Sequence, residues 1–263
     1  MIHYPQIDPV ALSIGPISIY WYGLTYVGGL IFAWWLGKQR AQLAQSPVSE
    51  EQIDDLIFYA ALGIVAGGRV GYALFYGAGS LWDDPLRVFR LWEGGMAFHG
   101  GFLGVVIAMW LFSRHQKIEF GALVDFIAPL APVGLALGRI GNFINQELWG
   151  RPADVPWAMV FPADPLGLAR HPSQLYQFAM EGVLLFFVLL WYTRTPRPRW
   201  SAAGLFLLGY GLFRSFAEFF REPDAHIGFD VLGWMTRGQL LSLPMIAIGA
   251  AIMIWAYRRD AKK

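Results

Sequence analysis

The sequence alternates long apolar runs with short polar segments. The runs approach the roughly 20 residues that a helix needs to cross about 30 Å of hydrocarbon. A polar segment at Ser46–Asp55 has the composition of a helix start. The pattern predicts an all-α membrane protein, a single domain over residues 1–263. Its seven transmembrane helices are expected at Ile17–Leu36, Leu56–Tyr76, Met96–Phe112, Ala122–Ile144, Leu175–Tyr192, Ala203–Phe220 and Leu240–Tyr257.

The distribution of cations predicts the orientation in the membrane. Lys38 and Arg40 follow the first run, which places the first loop in the cytoplasm, the N-terminus outside and the C-terminus inside. Between the fourth and fifth runs lies a segment with five prolines, about 145–174, which argues against a long helix. We therefore expect a small extracytoplasmic cap on a multi-pass membrane protein.

Composition narrows the class of protein. The chain is 56% hydrophobic and 15% charged, whereas soluble domains have about 25% charged residues. A net charge of +1 gives no basic excess that would indicate nucleic acid. The absence of cysteine excludes disulfides and a cysteine nucleophile. The sequence also has no HExxH or GxSxG motif and no metal-spaced His/Asp cluster, so zinc peptidase and serine hydrolase chemistry have no support.

Glycines predict two local features. Small residues spaced by four let helices approach closely in lipid, and such glycines lie on the second and fourth predicted helices, at Gly63, Gly67, Gly71, Gly134 and Gly138. Two further pairs, Gly94-Gly95 and Gly100-Gly101, lie on either side of His99. Two glycine pairs so close together predict an irregular or broken segment at the outer membrane surface.

Four arginines fall within or at the ends of predicted helices: Arg69, Arg139, Arg214 and Arg221. An arginine at the bilayer centre costs roughly 2.5–3.5 kcal/mol on insertion scales. On a helix Arg139 shares one face with Asn142 and Gln146, and Glu147 follows. Arg139 either extends towards the lipid headgroups or binds the oxygens of a phosphate.

The sixth predicted helix has a polar stripe of Tyr210, Arg214, Glu218 and Arg221, at spacings of four, four and three. One interpretation is a structural ladder in which Glu218 bonds both arginines. The other is that Arg214 and Tyr210 face an anion while Glu218 holds the guanidinium. An anionic lipid is the anion most available to a site within a bilayer.

Two histidines lie at the predicted membrane edges. His99 is a candidate general base, because histidine has a reference pKa near 6.5, although a lone histidine is more often structural or solvated. His171 lies where the outer segment re-enters the membrane. The residues alone leave three classes of protein open: an enzyme, an anionic-lipid transporter or flippase, and a membrane scaffold.

Six ordered motifs extend the analysis: Tyr20-Trp21-Tyr22-Gly23, GGRVGY from Gly67, GGMAFHGG from Gly94, GRIGNFINQELWGR from Gly138, RHPSQLY from Arg170 and GYGLFRSFAEFFREPD from Gly209. Through them the sequence closely resembles the bacterial prolipoprotein diacylglyceryl transferases along its whole length. The resemblance implies transfer of the diacylglyceryl group of phosphatidylglycerol to the lipobox cysteine thiol in the signal peptide of a preprolipoprotein. A thioether forms and glycerol 1-phosphate leaves. Because the substrate supplies the nucleophile, no metal or other cofactor is expected. The expected partners are these two substrates and membrane lipids, with no nucleic acid, and the resemblance implies a location in the bacterial inner (plasma) membrane.

The same resemblance implies roles for the matching residues. Arg139 binds the phosphate, and Asn142 and Glu147 shape the headgroup pocket. Arg214 stabilises the leaving phosphate, and His99, or else Tyr210, accepts the proton of the thiol. The remaining residues expected to bind substrate are Tyr22, Arg69, Gly150, His171, Glu218 and Arg221.

Overall fold

A computed structural model describes residues 2–76, 88–90, 94–223 and 235–262. Most of these residues are helical. The helices are α1 Trp21–Ala41, α2 Gln52–Tyr76, α3 Phe98–His115, α4 Phe120–Ile127, α5 Ala131–Ile144, α6 Ser173–Tyr192, α7 Ser201–Ala217 and α8 Arg237–Asp260. The strands are β1 Ile2–His3, β2 Val10–Ile14, β3 Ile17–Tyr20, β4 Met159–Val160 and β5 Ala169–Arg170.

The helices confirm the membrane character of the chain. In the described ranges three are long and apolar enough to cross a bilayer: Gln52–Leu74, Ser173–Tyr192 and Arg237–Asp260. Helices α4 and α5 form a fourth candidate if the bent pair is one span. The sequence-based number of seven, and the orientation, stay predictions.

The first helix begins later than its apolar run suggests. Residues Ile17–Tyr20 form β3, which pairs antiparallel with β2 around Gly15 at φ +58°. Helix α1 starts only at Trp21. Because the strand and the helix are equally apolar, hydropathy does not separate them, and the predicted helix start at Ile17 is wrong.

The fourth predicted helix is broken. Helix α4 ends at Ile127, α5 begins at Ala131, and their axes differ by 46°. Pro129 and Pro132 lie at the break, where proline cannot donate the next helical hydrogen bond. Proline is well tolerated in the first turn of the new helix. The prediction of one continuous helix over Ala122–Ile144 is therefore wrong.

The chain divides into two compact units, Trp34–Val124 and the combination of Met1–Ala33 with Asp125–Lys263. In the unit Trp34–Val124, α2 packs on α3 through glycines. A Cβ on Gly71 would lie 2.7 Å from the Gly100 Cα, and one on Gly67 would lie 2.7 Å from the Gly104 Cα. The predicted packing role of the α2 glycines is confirmed.

The glycine pairs beside His99 differ from each other. Gly94 and Gly95 have φ of +70° and +84°, so the backbone before α3 is irregular, as predicted. Gly100, in contrast, lies within α3 against α2, so the expected loosening of the helix at the second pair is wrong. On α5, Gly134 receives the close approach of Gly29, while an added Cβ on Gly138 would meet only the Tyr26 hydroxyl at 4.0 Å.

The other unit contains α5 to α8 and the segment between α5 and α6. No helix occurs between Ile144 and Ser173, as the prolines predict. Instead β4 pairs parallel with β1 and antiparallel with β5. Rings of Tyr4, Phe143 and Phe161 form the core beneath this sheet, and the Tyr4 hydroxyl donates to the Ile144 carbonyl at 3.1 Å. The N-terminal strand β1 thus pairs with the segment that was predicted to form the cap, although it lies outside the predicted bounds.

Candidate active site

Helix α6 places an acidic side chain in the interior of the bundle. Its middle segment, Phe178–Leu184, is π-helical, a distortion often found at functional sites. Gly182 in this segment lies so close to Ala136 of α5 that an added Cβ would be 2.9 Å from the Ala136 Cα. The close approach brings Glu181, which has 0% exposed surface, against α5 and α7.

Glu181 lies between two arginines from different helices. Its Oε2 is 3.4 Å from Arg139 Nη2, and its Oε1 is 3.7 Å from Arg214 Nη1. The arginine side chains are 19% and 13% exposed. One buried carboxylate therefore holds the guanidinium groups of α5 and α7 near each other.

The Arg139 end of this cluster continues along α5. Arg139 Nη1 donates to Asn142 Oδ1 at 3.3 Å, and Asn142 Nδ2 donates to Glu147 Oε1 at 2.7 Å. The Tyr22 hydroxyl interacts with Asn142 and with the charge of Glu147. Gly141 makes room for that ring, because an added Cβ would lie 2.7 Å from it. The structure thus brings together four of the predicted site residues.

Gln146 does not share this face. Helix α5 ends at Ile144, and Gln146 adopts φ +53° beyond it. Its Oε1 accepts a hydrogen bond from the Ala163 amide at 3.0 Å. The helical face predicted for Gln146 is wrong because the helix ends before that residue.

The predicted ladder on α7 is present. Glu218 Oε1 is 2.5 Å from Arg214 Nη2 and accepts a hydrogen bond from Arg221 Nη1 at 3.1 Å. Thr236, the N-cap of α8, donates to Glu218 Oε2 at 2.7 Å. Arg214 also faces Glu181, so the ladder and the Arg139 network form one chain of charges.

Tyr210 belongs to the same cluster. Its hydroxyl interacts with Arg139 and lies in the field of Glu181 and Arg214. Within an apolar bundle, such a group is oriented by the charges around it. The polar stripe on α7 therefore faces α5 and α6.

Gly150 fixes the end of α7 against the cap segment. Its amide donates to the His171 carbonyl at 2.8 Å, and a Cβ here would lie 2.5 Å from both the His171 and Phe220 carbonyl oxygens. The next residue, Arg151, donates through Nε to the Arg221 carbonyl at 3.0 Å. Gly150 contributes close backbone contact, and Arg151 is a contributor that the sequence analysis did not identify.

His171 forms an aromatic cluster at the start of α6. Its Nδ1 is 2.9 Å from the Tyr176 hydroxyl, which also accepts from Trp157 Nε1 at 2.6 Å. The imidazole packs against the Phe220 ring with centroids 5.1 Å apart. Burial lowers the pKa of His171, which favours the neutral ring.

A buried ion pair stabilises the cap segment. Arg170 donates to both oxygens of Asp164, through Nε at 2.7 Å and Nη2 at 3.2 Å. Its guanidinium lies over the Trp149 ring, 5.9 Å from the centroid. Hydrogen bonding from Arg170 holds the pKa of Asp164 below its usual value.

His99 and Arg69 lie in the unit Trp34–Val124. His99 is exposed in the first turn of α3. Arg69 donates to the Val88 carbonyl at 3.1 Å, to the Arg90 carbonyl at 2.6 Å and to the Gly95 carbonyl at 3.1 Å. It also donates to the Gly94 carbonyl. Through these hydrogen bonds the Arg69 guanidinium holds the backbone before α3. Substrate binding by Arg69 stays a prediction, and the contacts with these carbonyls do not support it.

Glu181 is the principal residue that sequence analysis missed. A signal was available, because Glu181 is the only charged residue in Ser173–Tyr192. An ionisable residue within a membrane helix indicates function by default. Its partners are 42 and 33 positions away along the chain, so no local spacing identified them.

Comparisons with known proteins agree with this geometry. The sequence model of the prolipoprotein diacylglyceryl transferase family matches residues 9–255. The chain belongs to this family. Proteins named phosphatidylglycerol–prolipoprotein diacylglyceryl transferase are similar to it. One from Teredinibacter turnerae is 56% identical, and the match covers 99% of this chain and 94% of that protein. One from Azotobacter vinelandii is 55% identical, and the match covers 100% of this chain and 99% of that protein.

A third relative of the same name, from Pseudomonas syringae, is 55% identical over 99% of this chain and 97% of its own length. Membership of the prolipoprotein diacylglyceryl transferase family makes the chain a transferase and a multi-pass membrane protein. The comparisons give no support to the transporter or flippase alternative.

Asp164 supplies a pH-dependent stability. The pKa of Asp164 is lower in the folded state than in the unfolded state, where it is near 3.9. Ionised Asp164 therefore stabilises the folded protein fully above about pH 3.9, and this stabilisation is lost as the pH falls through the pKa of the folded state. We expect Asp164→Asn to weaken the two hydrogen bonds of the buried Arg170, which keeps the Glu222 carboxylate at 3.5 Å and the Gly150 carbonyl at 3.3 Å, and to cost about 1.5–3 kcal/mol. The melting temperature in detergent should be lower than that of the parent protein at pH 7, and the difference should shrink towards pH 3.

The exposed Asp8, which accepts only from the Val10 amide, offers a control. Asp8→Asn should change the melting temperature little at any pH. Equal losses for Asp164→Asn at pH 7 and pH 3 would contradict a contribution from ionised Asp164.

Proposed function

We propose that this protein transfers the diacylglyceryl group of phosphatidylglycerol to the lipobox cysteine thiol of preprolipoproteins, in the bacterial inner membrane. The products are a thioether and glycerol 1-phosphate. The observation that supports this most is the pairing of Arg139 and Arg214 on the buried Glu181, among helices long enough for a membrane. The proposal includes one membrane domain with seven helices, the N-terminus outside and the C-terminus in the cytoplasm.

The two arginines have donors left for a phosphate. A guanidinium has five N–H donors, and Arg139 uses its Nη1 and Nη2 for Asn142 and Glu181 in bonds of 3.3 and 3.4 Å. Arg214 Nη1 is buried and lies 3.7 Å from Glu181 Oε1, too far for a hydrogen bond, so it has no hydrogen-bond partner among the described residues. Phosphate oxygens accept such donors at bidentate spacing. Arg139 and Arg214 therefore bind the phosphate of the lipid headgroup.

The reaction moves charge onto the group that these arginines hold. The cysteine sulfur forms a bond to the glyceryl carbon, the bond from that carbon to the phosphate oxygen breaks, and the electron pair leaves with oxygen. A phosphodiester with one charge becomes a phosphomonoester that approaches two. Donors fixed where charge develops lower the barrier most, with about 2.7–4 kcal/mol lost when one is removed.

The thiol must also lose its proton, because the thiolate is the nucleophile and the reference pKa of cysteine is near 8.5. His99 is the proposed acceptor. Tyr210, whose hydroxyl contacts Arg139, is the alternative.

The remaining polar residues shape the headgroup pocket. Asn142, Glu147 and Tyr22 form one connected group beside Arg139. Glu218 and Arg221 hold Arg214 from the other side. Gly150 and His171 contribute through the backbone hydrogen bond between them, which holds Gly150 against the Phe220 carbonyl after α7.

Arg139→Ala tests the phosphate site. With purified protein, phosphatidylglycerol and a lipobox peptide, mass spectrometry should detect the thioether product for the parent protein without added metal. The variant should lose about 10²–10³-fold in kcat/KM, the loss expected for one charge-stabilising donor. The exposed Arg194 provides the control, since Arg194→Ala removes the same charge outside the cluster.

An unmodified peptide in the presence of bound lipid would refute catalysis. Transbilayer movement of phosphatidylglycerol in liposomes without peptide modification would instead indicate a transporter.

Glu181→Gln tests the shared carboxylate with nearly unchanged volume. Removing its charge releases the two guanidinium groups from their common partner, so we expect kcat to fall at least tenfold through lost positioning. Binding of the anionic lipid should be retained or tightened, because the positive charge is then less compensated. Lipid affinity and single-turnover rates measure the two effects separately. Weaker binding with unchanged kcat would contradict this role.

His99→Asn and Tyr210→Phe separate the two candidate bases. With His99 as the base, His99→Asn should lower kcat/KM by about 10²–10⁴-fold, the usual contribution of a positioned general base. Tyr210→Phe should then keep most of the activity of the parent protein. Full activity of His99→Asn across neutral pH would exclude His99 and favour Tyr210.

A further inference from the structure

Three polar side chains follow one face of α6. Gln174, Gln177 and Glu181 are three and four residues apart and therefore lie one above another. All three are buried, with 0%, 1% and 0% of their surface exposed. Within an apolar helix of membrane length, such a stripe requires partners.

The outer two members of the stripe each contact residues of the proposed site, although Gln174 Oε1 and Glu181 Oε1 make no hydrogen bond among the described residues. Gln174 Nε2 donates to the Glu147 carbonyl at 2.6 Å, and Glu181 Oε2 contacts Arg139 at 3.4 Å. The segment Ser173–Gln177 packs against both α5 and α7. Gln177 thus lies between the Glu147 and Arg139 contacts, on the face that meets the proposed phosphate site.

Gln177 itself is different. Neither its Oε1 nor its Nε2 has a hydrogen-bond partner among the described residues, although both atoms are buried. Gln239, a buried glutamine of α8, shows the usual arrangement: its Oε1 accepts from the Thr236 amide at 3.1 Å and its Nε2 donates to the Ser215 carbonyl at 3.4 Å. Buried amides are normally satisfied in this way, and an unsatisfied one requires an explanation.

We infer that Gln177 binds the glycerol of the phosphatidylglycerol headgroup and sets the preference of the enzyme for that headgroup. This rests on the proposed function. The amide offers one acceptor and a donor group, and a glycerol headgroup offers two hydroxyls, each able to donate and accept. Nε2 donates to one hydroxyl while Oε1 accepts from the other.

The same pairing rejects other headgroups. An ammonium headgroup has donors but no acceptor, so it satisfies Oε1 and leaves Nε2 unpaired. A site built to hydrogen-bond a hydroxyl discriminates strongly against ligands that lack it, because its buried polar groups then stay unpaired. Gln177 is therefore a specificity-determining residue rather than a catalytic one.

Gln177→Met tests this inference with a side chain of similar length that cannot pair with hydroxyls. The lipids are phosphatidylglycerol and the analogue whose headgroup is propanediol, which lacks one hydroxyl. The parent protein should prefer phosphatidylglycerol in kcat/KM by about tenfold, the scale of one or two ordinary hydrogen bonds. The variant should lose about tenfold with phosphatidylglycerol, mainly in KM, and a smaller factor with the analogue, which keeps only one hydroxyl for the amide.

The control is Gln239→Met, which removes a buried amide with partners inside the protein. It should lower the melting temperature and leave the ratio between the two lipids unchanged. Equal losses of Gln177→Met with both lipids would overturn the inference.

The parent protein gives a result that does not depend on the variant folding. If it transfers from both lipids equally well, Gln177 does not select the headgroup and the inference fails while the proposed function stands. If it transfers from neither lipid, the proposed function fails as well.

Discussion

A carboxylate buried in a membrane bundle cannot keep its charge without cations beside it. Glu181 meets this requirement with Arg139 on one side and Arg214 on the other. The arrangement fixes the relation of α5, α6 and α7, since neither arginine can leave without exposing the carboxylate to an apolar surrounding. The glycine at 182 and the π-helical segment around Glu181 are the backbone features that let α6 come close enough.

The charges beyond Glu181 follow the same logic. Glu218 balances Arg214 and Arg221, and Thr236 satisfies its second oxygen from the start of α8. The cap segment joins at Arg151, whose amide and Nε donate to the Phe220 and Arg221 carbonyls after α7. A change in any one of these groups therefore reaches the others through hydrogen bonds rather than through loose packing, which makes the cluster a rigid support for the proposed phosphate site.

Sequence analysis found the parts of this cluster that are local in the chain. Helical periodicity places Arg139 beside Asn142, and Arg214 beside Glu218, without knowledge of the fold. It missed Glu181, because its contacts join distant helices and only tertiary structure brings them together. The errors in the fold have similar causes: hydropathy does not separate β3 from α1 at Tyr20–Trp21, and two prolines break the apolar run at Ala131. The resemblance of whole motifs supplied the reaction, which no single spacing could.

Pairing does not make the arginines inert. A carboxylate that contacts one edge of a guanidinium compensates its charge, which lowers the cost of placing it in a membrane, but leaves donors on the other edges. Arg139 is the most exposed of the arginines paired with Glu181 and Glu218, and the buried Nη1 of Arg214, 3.7 Å from Glu181 Oε1, has no hydrogen-bond partner among the described residues. The carboxylates thus set the position and cost of the cations, and in the proposed reaction the donors that remain interact with the lipid phosphate. As that phosphate gains charge during transfer, its attraction to fixed guanidinium groups grows while the attraction of the carboxylates stays constant, so the cluster favours the departing group over the bound lipid.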